Sequence, residues 1–242
     1  HDVQRNLKVI FPDRSIEEIK EISRLVFINF AKYLVDFFRF SKVDDKYIKE
    51  NVIIKNIEYI DDALRNEKGA IILSAHMGNW ELGAVVISLL GYRINALVLS
   101  HKHRLVNNFF INQRIGVNVL HVGTGVRQCF ERLGKNQLLA TLGDRDFSSV
   151  GFTTSFFGKE AFIPRGPATF SLKTGAPVVP AMMIRNPDDT FTLFFERPIY
   201  PVQGEDFKRD LEKLTQKYLA VLEDYIKRYP EQWYPFRYMW KD

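Results

Sequence analysis

Residues 69–91, GAIILSAHMGNWELGAVVISLLG, decide how this chain folds. The opening GAIILSA is short, branched and continuously apolar, the composition of a strand buried on both faces of a sheet. Gly78 and Asn79 then offer turn or N-cap chemistry, and WELGAVVISLL carries apolar residues at helical intervals until Gly91 closes the pattern. The segment reads as central strand, loop and helix, with His76 on the loop and Glu81 in the first helical turn. On a single helix, residues five apart point about 140° away from each other, so the two can meet only because the histidine lies before the helix. A carboxylate near a helix N-terminus stays ionised, can accept the Nδ1 proton of His76 and leaves Nε2 to act as a general base. Such a dyad has no nucleophile of its own. The bare HxxxxE pattern describes equally well a satisfied loop histidine beside a favourable first-turn acid, so the flanking sequence has to separate the two.

Working outward, Ser15 to Phe40 shows apolar residues at helical spacing, with Ser15 and Glu18 forming a capping-box signature for one long amphipathic helix. Its phenylalanine-rich side, with Val26, Phe27, Phe30, Leu34, Phe37 and Phe38, reads as ordinary core rather than a lipid groove. VIIKN at 52–56 reads as a short strand and IEYIDDALRN at 57–66 as a helix. Beyond the central unit, INALVLS, a helix over 103–115, VNVLHV, a helix over 125–134 and QLLATLG alternate, which predicts an α/β fold with a mostly parallel central sheet flanked by helices. FTTSFF at 152–157 adds a strand. PVVPAMMIR and TFTLFFERP, separated by NPDD, read as a C-terminal β-hairpin, and a helix from about Glu205 to Arg228 follows.

With 242 residues and 46% hydrophobic content, the chain can bury a sizeable core and is read as one domain over 1–242, residues 1–68 forming an N-terminal helical segment packed on it. Its single cysteine excludes an internal disulfide and any multi-cysteine metal site; Cys129, within VRQCFERL, reads as a small buried hydrophobe. A net charge of +5 suits an anionic partner. Nucleic acid is disfavoured, because no helix-turn-helix, zinc-finger or RNP-type signature occurs and the basic residues are scattered among acids. A membrane surface fits better. No run of 18 or more apolar residues is present, and the start carries no charged-then-apolar signal peptide.

Ligand sites in such sheets lie beyond the carboxyl ends of the strands. His76 falls there, as do Ser100–His103, Gly123–Gly125 and Asp144–Asp146, so these loops are expected to converge. The GTG at 123–125 lacks the length and lysine of a P-loop and reads as a tight turn. Arg114 and Arg145 are anion candidates, since guanidinium makes bidentate bonds to phosphate or carboxylate. The DRD triplet reads as two aspartates orienting Arg145, being a poor hard-cation cage. His101 and His103 could join His76 around zinc, but an HKH at a strand end is better read as facing solvent or a phosphate, and no metal is expected. Ser74, Ser148 and Ser149 lack the GxSxG elbow of a serine hydrolase.

HMGNWE resembles the first motif of the glycerolipid acyltransferase superfamily, HxxxxD or HxxxxE. It is specifically similar to the HxGNWE form of the bacterial lipid A biosynthesis (lauroyl/myristoyl) acyltransferases and of the related phosphatidylinositol mannoside acyltransferases. QRNLKVIFPD at 4–13 resembles that family's opening segment and NQRIG at 112–116 its arginine block. GDRDFSSVGFTTSFFGKEAFIPRGPATFSLKTGAPVVPA at 143–181 is similar to its DxD region, FFG turn, PxGP segment and VVP strand, and YPEQW at 229–233 to its C-terminal signature. The segments run in order along nearly the whole chain.

The resemblance implies a glycerolipid acyltransferase-like fold and a ternary mechanism. His76 deprotonates a hydroxyl of a glycolipid, similar to a lipid A precursor or a mannosylated inositol lipid, as it attacks an acyl thioester; Glu81 holds the imidazole. Acyl carrier protein or coenzyme A carries the donor, and no further cofactor is expected. Backbone amides of Gly78 and Asn79, or a nearby arginine, are candidate donors to the oxyanion. The substrate-facing candidates are Asn79, Arg114, Asp144, Arg145, Asp146 and Arg165. By resemblance Arg114 contacts the phosphate-bearing part of the acceptor. Arg165, in IPRGP, stands where the wider superfamily has glutamate, which argues against a glycerol-phosphate acceptor. The resemblance further implies the cytoplasmic face of a bacterial inner membrane, with a membrane-spanning helix upstream of His1. A lipid-binding module without turnover, or a hydrolase in which water replaces the acceptor, are the competing readings; the products of a labelled thioester separate them.

Overall fold

In the computed structural model, which describes residues 1–99, 103–146 and 150–240, the chain opens with α1 (Asp2–Ile10), α2 (Ile16–Phe37) and α3 (Asp45–Asn51). The capping box expected at Ser15 is formed: the Ser15 hydroxyl accepts the Glu18 N–H, and the Glu18 carboxylate accepts the Ser15 N–H at 2.8 Å. The phenylalanine-rich side of α2 is core only in part. Val26 and Phe37 are buried, whereas Phe27 and Phe38 are 54% and 62% exposed, because α2 lies on the outside of the molecule with one flank in solvent.

The main sheet has seven strands in the order β1 (Val52–Lys55), β9 (Phe191–Phe195), β8 (Val178–Arg185), β2 (Ala70–Ser74), β5 (Leu138–Leu142), β3 (Ile94–Val98) and β4 (Asn118–His121). The pairs from β8 to β4 are parallel, as the alternation of elements predicted; β8 and β9 form the expected antiparallel hairpin, and β1 runs parallel to β9 at the edge. All five residues of β2 are buried, which explains its unbroken apolar run: a strand covered on both faces has no solvent side to make polar.

Helices α4 (Glu58–Leu64) and α5 (Trp80–Leu89) cover one face, where Ile72, Val85, Val86, Met183 and Leu193 share a core. Helices α7 (Val126–Leu133), α8 (Gly166–Thr174) and α9 (Phe207–Arg228) cover the other, packing Leu133, Leu172 and Leu222 against Ile71 and Leu73. A third cluster joins α1 and α2 to Tyr234 near the C-terminus. Helix α6 (Arg104–Gln113) follows β3.

The sequence reading leaves α1, α3, β7 (Lys159–Ile163) and α8 unassigned. β7 pairs with β6 (Phe152–Phe156) as a hairpin outside the main sheet, turned by Phe157 and Gly158, both at positive φ. α8 was hidden by the loop-like PRGP, although proline in a first helical turn and Gly175 in the left-handed conformation after the last turn are ordinary helix bounds. Cys129 is fully buried, and burial pushes its thiol up to about 11. Among the described residues no helix is long and apolar enough to cross a membrane.

Candidate active site

Two adjacent parallel strands build the centre of the site. β2 and β5 pair in register so that Ser74 lies opposite Leu142. His76 and Asp144, each two residues past those positions, therefore leave the sheet side by side. The Nδ1 atom of His76 lies 2.7 Å from Oδ1 of Asp144, which is completely buried, while the histidine side chain keeps 16% exposure. The other Asp144 oxygen accepts the indole N–H of Trp233 at 3.1 Å. Burial alone would raise the Asp144 carboxyl, but the His76 ring and its hydrogen bond, with the charge of Arg145 and the Trp233 bond, outweigh it and hold the group down to about 2. An ionised carboxylate fixed on Nδ1 selects the tautomer in which that nitrogen is protonated, and directs acid–base chemistry to Nε2.

The expected partner of His76 is thereby corrected. Glu81 does sit in the first turn of α5, but both of its oxygens accept from Arg114, Nε at 2.7 Å and Nη2 at 2.6 Å. The pair is a fork in a dry setting, with side-chain exposures of 8% for Arg114 and 12% for Glu81. Burial lowers the Arg114 guanidinium, and the bond to Glu81 more than restores it. The two aspartates of DRD also serve groups other than Arg145, whose charge acts on Asp144. The Asp144 oxygens hold His76 and Trp233, and Asp146 Oδ2 accepts the N–H groups of Val150 and Gly151, shaping the loop that follows. Arg145 donates to the carbonyl of Tyr234 at 3.0 Å.

Asn79 is a cap. Its Oδ1 accepts the Leu82 N–H and its Nδ2 donates to Asp36; at 1% exposure it presents nothing to a substrate. The backbone amides proposed for the oxyanion are also engaged, Gly78 N–H with the Gln232 carbonyl at 2.7 Å and Asn79 N–H with the Met183 carbonyl at 2.8 Å. Gly78 has φ +56°, and a Cβ there would stand 1.9 Å from the Met183 carbonyl oxygen, so only glycine fits this loop.

The C-terminal segment completes the frame, a role that no spacing in the sequence revealed. Tyr234 N–H donates to the His76 carbonyl and its hydroxyl to the Gly78 carbonyl, while Gln232 bonds the N–H and carbonyl of Arg185. Trp80 meets the His76 ring edge-on at 5.4 Å between centroids and stacks on Tyr33 at 4.5 Å.

A cavity of about 860 Å³ opens beside His76, with Glu81, Arg114, Arg145, Asp146 and Arg165 also on its wall. Its walls belong to both cores: Ile72, Ala84, Ala96, Ala140 and Met183 from the α5 face, Leu97, Phe130 and Phe170 from the α7–α8 face. Asp144 supports the site from behind, and Arg165 is exposed at the start of α8. The Gly123–Gly125 turn contributes Gly123 to the cavity; Ser100, His101, Ser148 and Ser149 lie outside the described residues.

The α/β sheet thus places a carboxylate-held histidine, a group capable of proton transfer, at the edge of a large, mostly apolar cavity. The chain belongs to the bacterial lipid A biosynthesis acyltransferase family, whose pattern it matches over residues 1–242. It is 24% identical over 244 residues to a phosphatidylinositol mannoside acyltransferase of Mycolicibacterium smegmatis, covering 98% of this chain and 78% of that one. To a lipid A biosynthesis palmitoleoyltransferase of Escherichia coli it is 22% identical over 240 residues, covering 98% and 75%. Among solved structures it is similar to a 1-acyl-sn-glycerophosphate acyltransferase of Thermotoga maritima, with a TM-score of 0.44, 15% identity, and coverage of 91% of this chain and 86% of that one. As a member of the lipid A biosynthesis acyltransferase family, the chain is an acyltransferase.

Proposed function

We propose that this acyltransferase moves a fatty acyl group from an acyl thioester to a hydroxyl of a membrane glycolipid, with His76 as general base and Asp144 as the group that holds its ring. The observation that carries the reading is the 2.7 Å contact between His76 Nδ1 and a fully buried carboxylate beside an apolar cavity. As the acceptor oxygen attacks the thioester carbonyl, its proton passes to Nε2. The imidazolium is stabilised by Asp144, the oxyanion collapses, and the departing thiolate takes the proton back. Since Gly78 and Asn79 have spent their amides, the positive charges of Arg114 and Arg145 on the cavity wall are the groups offered to the oxyanion. Glu81 acts through Arg114, holding the guanidinium in place.

The α5 side of the cavity, lined by Ile72, Ala84, Ala96, Ala140 and Met183, suits the acyl chain. The family and the relative from Mycolicibacterium favour two acceptors, a lipid A precursor or a mannosylated inositol lipid. The donor is an acyl carrier protein or coenzyme A thioester, and the setting the cytoplasmic face of a bacterial inner membrane, which the net charge of +5 suits.

The test is incubation of the protein with a radiolabelled acyl thioester and each lipid in vesicles. Label in an acylated lipid supports the proposal. Label released only as free fatty acid would make the protein a hydrolase, and label remaining on the thioester while lipid binds would make it a binding module.

A further inference from the structure

The two sides of the cavity differ in chemistry. Opposite the largely apolar α5 side, and beside Phe130 and Phe170, Arg165, Thr169 and Lys173 line the wall at every fourth position of α8 and its N-cap, so they share one stripe of that helix. From the first to the last is about 12 Å along the helix axis. Across from them stands Thr141 of β5, 7% exposed, which strand alternation places on the face opposite Ala140. The hydroxyls of Thr141 and Thr169 are both buried and have no hydrogen-bond partner, whereas those of Thr174, Thr190 and Thr192 are all bonded. A buried hydroxyl left without a partner is unfavourable, having lost its water and gained nothing in return. A wall meant for hydrocarbon gains nothing from two of them, nor from cations at both ends of the stripe.

We infer that this wall is a second subsite, which takes a polar chain ending in a phosphate ester. The hydroxyls of Thr141 and Thr169 donate to carbonyl or hydroxyl oxygens along the chain, and the exposed Lys173 pairs with the phosphate. The inference rests on the acyl-transfer reading of the cavity. Two substrates of that reaction offer a phosphate ester joined to a polar group, the phosphopantetheine arm of the thioester donor and, for a mannosylated inositol lipid, the phosphodiester headgroup of the acceptor.

Calorimetric titration of the whole protein with 4′-phosphopantetheine and, separately, with glycerophosphoinositol reads the subsite without turnover. One of the two is expected to bind. Thr141→Val, Thr169→Val and Lys173→Ala are each expected to weaken it at least five-fold, to raise KM for the matching substrate and to leave the other KM unchanged, with thermal stability unchanged in Lys173→Ala and not lowered in the two Thr→Val variants. Binding of phosphopantetheine assigns the arm to the donor; binding of glycerophosphoinositol assigns it to the acceptor. Absence of binding by both, or equal binding by the wild type and all three variants, overturns the subsite. An enzyme that transfers acyl groups yet gives either of those results refutes this inference alone. Phosphate binding with no acyl transfer refutes the proposed function instead.

Discussion

His76 and Asp144, 68 residues apart in the chain, meet at 2.7 Å because each stands two residues beyond a register pair of adjacent parallel strands, Ser74 and Leu142. The contact is a product of the sheet, and it fixes which nitrogen of the histidine meets the carboxylate.

Replacing Asp144 by Asn keeps the shape and the acceptor for Trp233 but removes the charge that selects the Nδ1–H tautomer and supports the imidazolium. Acyl transfer is expected to fall roughly 10²-fold or more, mainly in kcat. Steady-state kinetics at saturating donor check this, and an unchanged kcat would remove Asp144 from the mechanism.

Arg114→Met strands the Glu81 carboxylate in a nearly dry site and is expected to cost about 3–5 kcal/mol, while adding Glu81→Gln to it recovers much of that loss. Urea unfolding of both singles and the double variant measures the coupling. Additive losses would show that the fork contributes nothing as a pair.

Asn79→Ala removes an α5 cap and a partner of Asp36, so a loss of about 1 kcal/mol in stability is expected, with KM for both substrates unchanged. A large rise in KM with stability unchanged would return Asn79 to a substrate-binding role.

The Asp144 carboxyl titrates near 2 in the fold against an ordinary value of 3.8. Its folded value is the lower one, so its contribution is present above the unfolded value and is lost as the pH falls through the folded one. Between about pH 4 and pH 2, the wild type is expected to lose more stability than Asp144→Asn. Parallel loss in the two proteins, followed by thermal unfolding, would contradict the assignment.

Much of this was legible from residues 69–91 outward. The buried run of β2, the glycine–asparagine loop, the capping box of α2 and the strand–helix alternation are local patterns, and they were read correctly. What escaped is non-local. The choice between Glu81 and Asp144 depends on the order of strands in the sheet, which places β5 next to β2, and spacing along the chain carries no record of it. In the sequence Asp144 stands beside Arg145, a neighbour whose charge does act on it, and nothing along the chain adds His76 as its hydrogen-bond partner. Trp233 and Tyr234 gave no chemical signal, because their role is to return from α9 and bond the backbone of the His76 loop. Asn79 and Gly78 looked available for a substrate since turn residues usually present polar groups, and only the packing against Met183 and Gln232 shows those groups in use.

The most direct test of the account is single-turnover transfer from a labelled acyl thioester to lipid by His76→Ala beside the wild type, with thermal unfolding as a control for the fold. A fall of about 10²–10⁴-fold in acylated lipid with the fold retained is predicted, the range of a positioned general base. Transfer at the wild-type rate by that variant would contradict the central claim that His76, held by Asp144, takes the proton.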